Sequence, residues 1–139
     1  MLKIYGWIVC LFFGLLTFAQ AQGPQDKPFK PEKAMINLNE YENKSITLEV
    51  GQVAYFQYTI ADEVKNQTGA SLYADDPGVL SMEHSQSHWY ISPPSQKFRK
   101  HVHTTVFSAV AAGNTAIHYE EEHLPTGDKK TIAIEVIVK

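Results

Sequence analysis

The chain has 139 residues, with 12 basic against 15 acidic side chains for a formal net charge of −3, six histidines and one cysteine. A single cysteine excludes a disulfide framework, and the absence of a basic excess leaves nothing that points to nucleic acid. The length suits one domain with one core.

Lys3 supplies a short positive region, Ile4 to Phe18 is an almost unbroken apolar run, and Ala19-Gln20-Ala21 has the small-x-small pattern of a cleavage site. This layout predicts a signal peptide over residues 1–21, and so a secreted or periplasmic protein with no membrane attachment after cleavage. The run is shorter than the roughly 20 residues a spanning helix needs. Cys10 lies inside it, so the mature chain is expected to carry no thiol, and with it no cysteine nucleophile and no thiolate metal site.

Residues 22–44 read as an extended N-terminal segment. Its first part, Gln22 to Lys33 ("QGPQDKPFKPEK"), is polar and holds three prolines, too little apolar surface to offset the ordering of its backbone.

From Ser45 to Lys139 the pattern is one of short strands between Pro/Gly turns. "SITLEV" places Ile46, Leu48 and Val50 on one face, and Gly51-Gln52 breaks it. "VAYFQYTI" places Phe56, Tyr58 and Ile60 together. A polar stretch then leads to a short strand around Leu72 to Ala74, closed by the turn Asp75-Asp76-Pro77-Gly78. "VLSMEH" pairs Leu80 with Met82 on one face, and "HWYI" is a further short strand ended by Pro93-Pro94. In "KHVHTTVFSAV" two faces compete for the core: Val102, Thr104 and Val106 against Thr105, Phe107 and Ala109. "TAIHYEE" turns Thr115, Ile117 and Tyr119 one way, and "TIAIEVIVK" aligns Ile132, Ile134, Val136 and Val138. No window carries a helical period with caps. The predicted fold class is all-β: an immunoglobulin-like antiparallel β-sandwich with Greek-key connections, a single domain over residues 45–139.

Several of these segments, in order, resemble the chagasin-type inhibitors of papain-family cysteine proteases. They are "ITLEVGQVAYFQY", "DDPGVLSM", "TTVFSAVAAGNTAIHYEEE" and the closing "KTIAIEVIV". The resemblance implies a small secreted or periplasmic sandwich that binds a protein partner, a papain-like cysteine protease, through three loops at one end. It places the first loop at Asn66-Gln67-Thr68-Gly69-Ala70, where the family reads Asn-Pro-Thr-Thr-Gly-Tyr. The second falls in Ser92 to Lys100, including Gln96 and Phe98, which here has no glycine. The third falls in Glu121 to Gly127, with His123, Leu124, Pro125 and Thr126, where the family carries Arg-Pro-Trp.

The same chain offers residues for other chemistry. His101 and His103, two apart on a strand, point to one face and form a legitimate two-ligand arrangement for zinc or copper. His84 and His88, with Met82, or His118 and His123 would complete such a site. All of them equally suit the solvent face of a sheet. Glu120-Glu121-Glu122-His123 has the residue types of an acid/base site, but a run of like charges at a strand end equally suits a solvated edge that discourages aggregation. Asn43 and Asn66 are formal glycosylation acceptors. No nucleophile elbow and no phosphate loop occurs. The reading is therefore non-enzymatic, with no catalytic residue, no resident metal and no cofactor. A structural or adhesive module and a histidine-based metal binder stand as the alternatives.

Overall fold

The structure, a computed structural model, describes residues 28–61, 68–90 and 100–139. Most of them lie in eight strands: β1 (Ile36–Asn37), β2 (Ser45–Leu48), β3 (Val53–Ala61), β4 (Thr68–Ala74), β5 (Leu80–Tyr90), β6 (Lys100–Ala109), β7 (Gly113–His123) and β8 (Asp128–Val138). They form two four-stranded sheets, ordered β1-β3-β6-β5 and β2-β8-β7-β4. β1 runs parallel to β3 and β2 parallel to β8, while every other pairing is antiparallel. Only the β5–β6 and β7–β8 connections stay within one sheet; every other connection crosses between the two, the layout of an immunoglobulin-like sandwich.

Period-two alternation sets the core. Ile132, Ile134, Val136 and Val138 of β8 are all buried, as are Ile117 and Tyr119 of β7. They meet Ala54, Phe56, Phe107 and Ala109 from the other sheet in one cluster. Phe56 and Tyr119 bring their ring centroids within 5.5 Å across the two layers.

Several expectations are corrected. Val50 stays exposed, because β2 stops at Leu48 and the chain has already turned. Met82 is 43% exposed although Leu80 is fully buried. The register of β5 shifts between Met82 and His84, a bulge that interrupts the alternation. The two short strands read around Leu80 and Trp89 are one strand, β5, continuing past that bulge.

Both competing faces of β6 are enclosed. Phe107 and Ala109 enter the core, yet Thr104 and Val106 are also buried. The reason lies on β3: Gln57, paired with Thr104, donates through Nε2 to Thr104 Oγ1 at 2.9 Å. Asn39 in turn clamps the Gln57 backbone with two hydrogen bonds, of 2.8 and 2.9 Å. The N-terminal segment also takes part in the fold. Phe29 packs on Tyr55 with centroids 5.4 Å apart, and Leu38 at the head of a 3-10 turn (Leu38–Tyr41) is fully buried.

Where β7 starts, Gly113 lies against Val79. A Cβ built on it would sit 2.8 Å from Val79 Cγ2, closer than packed carbons tolerate. Gly113→Ala is expected to lower the unfolding free energy by about 1–3 kcal/mol, read as an earlier denaturation midpoint at unchanged m-value.

Candidate functional site

Strand direction gathers three connections at one end. Ala61 of β3 and Tyr90 of β5 both pair with Lys100 of β6. In the other sheet His123 of β7 pairs with both Thr68 of β4 and Asp128 of β8. The Tyr58 and Tyr119 rings, 4.9 Å apart, tie these two sets of strand ends together. The chain segments joining β3 to β4, β5 to β6 and β7 to β8 therefore all begin and finish at the same end of the sandwich.

The β7–β8 connection lies wholly within the described residues and is tightly built. Gly127, at φ +73, supplies the left-handed residue that a short hairpin needs. The amides of Thr126 and Gly127 donate to the His123 carbonyl at 3.2 and 2.7 Å. Thr126 Oγ1 donates to Asp128 Oδ2 at 2.7 Å and lies 2.8 Å from His123 Nδ1. The Asp128 amide donates to the same oxygen at 3.3 Å. With the hydroxyl proton given to Asp128, the His123 Nδ1 contact is an N–H donation. Leu124, at the tip of this braced turn, is 55% exposed.

The two preceding positions in β7 are also held. Tyr119 donates to Glu121 Oε2 at 2.7 Å, and burial together with that carboxylate holds the phenol well above its usual range. The acidic run meets lysines across the hairpin: Glu121 pairs with Lys130, and Glu122 with Lys129 at 3.9 Å. The run lies at the solvated end of β7, with neither Glu120 nor Glu122 enclosed.

The ten residues expected to bind a partner divide three ways. Leu124, Pro125 and Thr126 lie in the turn as expected. Thr68 and Gly69 are not loop residues: they open β4, in register with His123 and Glu122, and His123 is the last residue of β7. Asn66, Gln67, Gln96 and Phe98 lie outside the described residues, as does the glycosylation acceptor at Asn66.

The histidines weighed as an alternative metal site are scattered. His101 and His103 lie on the inward face of β6, whereas His84 and His88 pair with Val106 and Val102 on the outward face. His118 sits on the outer side of the second sheet, stacked on Tyr73 and 2.9 Å from Asp75 Oδ2, and His123 is engaged in the turn. Among the described residues no group of three or more His, Cys, Asp or Glu side chains converges as a metal ion requires.

Two features went unread in the sequence. Asp128 completes the turn network, a role signalled only by Thr126-Gly127-Asp128 at a hairpin. The other is a stack of rings beneath the loops, in which Tyr58 lies 5.0 Å from His103 at an interplanar angle of 8°.

No family model matches the sequence, and no curated protein matches it significantly. Solved structures do match the fold. The cysteine protease inhibitor EhICP2 from Entamoeba histolytica superposes with a TM-score of 0.60 at 8% identity, covering 76% of this chain and 94% of that one. Amebosin superposes with a TM-score of 0.51 at 11% identity, covering 76% of this chain and 96% of its own. At such identities the likeness is one of fold, and the fold is that of the chagasin-type inhibitors which the sequence resembles.

Proposed function

We propose that this chain is an exported, non-enzymatic inhibitor of papain-like cysteine proteases, which it blocks with the loop end of the sandwich. The observation that carries the reading is the braced β7–β8 turn. It holds an exposed apolar residue, Leu124, at the end where the other two connections also begin and finish. A turn fixed by its own hydrogen bonds loses little conformational entropy on docking, which favours tight binding of a loop in a cleft. Likeness of fold to EhICP2, described as a cysteine protease inhibitor, supports the same reading. Leu124 and Pro125 would lie in the cleft, while Thr126 and Asp128 keep the turn in shape.

The test is inhibition of papain or cathepsin L by the purified protein. Reversible inhibition at micromolar concentration or below, without cleavage of the inhibitor, is the expected result. No inhibition at that concentration would remove the reading and leave a structural or adhesive module.

A further inference from the structure

Beneath the loop end, a row of rings runs through the space between the sheets. His101, His103, Thr105 and Phe107 alternate down the inward face of β6. Phe107 is buried in the core, and the two histidines lie nearer the opening. The imidazoles of His101 and His103 stack with centroids 6.1 Å apart, at 18°. His103 stacks flat on Tyr58, and Tyr58 reaches Tyr119 in the opposite sheet. One continuous row of rings thus joins β6, β3 and β7, which carry the loop-end connections.

We infer that this row is a pH-sensitive support for the loop end: with its histidines neutral it holds the strand ends together, and protonation of His103 loosens them.

The groups facing His103 favour its neutral form. From its own strand the neighbour is His101, a second cation when protonated. β3 presents Tyr58, and β5 presents Ser87, its register partner. From the second sheet come Tyr119 and then Glu121, whose Oε2 is already taken by the Tyr119 hydroxyl. Lys130 pairs in register with Glu121, and His123 and Asp128 lie further out, bound into the turn. Leu72 and Ala70 of β4 carry no charge, and Glu42, after the 3-10 turn, acts on Tyr119. Among the described residues no carboxylate bonds His103.

Burial, and secondarily the charge of His101, hold the His103 imidazole below its ordinary value. An imidazolium over the Tyr58 face would gain some cation–π attraction, which acts against this direction. The sign follows. A depressed histidine leaves the unfolded chain binding more protons than the folded one, so stability is full above about pH 6.5 and is lost as pH falls below it.

Two measurements on the purified protein test this, at pH 7.5 and pH 5.0. The first is amide hydrogen exchange, corrected for intrinsic rates, in Gln57–Thr59 and His101–Thr104. Opening of these strand ends should rise about tenfold at pH 5.0 in the wild type. In His103→Phe, which keeps a flat ring on Tyr58 but cannot titrate, it should stay within about twofold. His101→Gln, which removes the second cation, should fall between them, and it serves if the Phe variant does not fold. Equal exchange at the two pH values in the wild type, or an undiminished rise in both variants, overturns the inference.

The second measurement is the inhibition constant for papain over the same range. It rests on the inhibitor reading above and is expected to weaken about tenfold in the wild type alone. A wild type that inhibits at neither pH defeats that reading, while the exchange data still decide the role of His103.

Discussion

Phe56→Ala will bring the protein close to unfolding. Phe56 is 1% exposed and lies between the sheets, with Tyr119 at 5.5 Å and Tyr58 at 6.5 Å. Truncating a buried phenylalanine costs about 3–5 kcal/mol, the sum of lost transfer energy and the cavity left behind. The aromatic pairs add roughly 0.5–1.5 kcal/mol beyond burial. Against a total stability of about 5–15 kcal/mol for a small domain, such a loss removes most of the margin. Urea denaturation should show a midpoint shifted far toward zero at an unchanged slope. A shift worth under about 1 kcal/mol would mean that the two layers do not meet at this ring.

The second large effect is on binding. On the inhibitor reading, Leu124→Asp should weaken inhibition of papain by about thirtyfold, the ~2 kcal/mol expected of an apolar residue at the centre of an interface. More than half of Leu124 is in water, so the same change should move the thermal midpoint little. The separation of these readouts is the point of the experiment. An unchanged inhibition constant would show that this turn does not enter the cleft. A collapse of both would show that Leu124 serves the fold.

The strands easiest to read in the sequence are those whose alternation is uninterrupted. In β8 the alternating Ile132, Ile134, Val136 and Val138 are all buried, and in β7 Ile117 and Tyr119 behave likewise. Reading fails where a neighbour supplies the deciding contact. Met82 obeys the pattern that buries Leu80 and pairs with the buried Phe107, yet it is exposed beside a bulge, and a bulge leaves no mark in hydrophobic periodicity. Thr68 and Gly69 have loop composition, yet the backbone of β7 recruits them into β4. β6 carries two plausible inner faces, and both are enclosed because Asn39 and Gln57 cover the second. β1 is two residues long and pairs in parallel, so it has no period to detect.

The candidate site divides along the same line. A Pro-Thr-Gly hairpin is legible as a local turn. Its bracing by Asp128 depends on a side-chain geometry that spacing alone does not contain. The stack of His103 on Tyr58 depends on strand register across 45 residues of sequence, fixed only when β3 and β6 pair. The sandwich layout was legible from the order of strands and turns.

The parallel pairing of β2 with β8 has a consequence for how the molecule comes into being. Ser45 lies opposite Glu135, and Leu48 opposite Val138, so an early strand completes its sheet only with the last. Contacts separated by most of the chain are entropically slow to form, and all-β proteins dominated by them fold in milliseconds to seconds. A ribosome adding about 5–20 residues per second therefore releases the final strand before the second sheet can close.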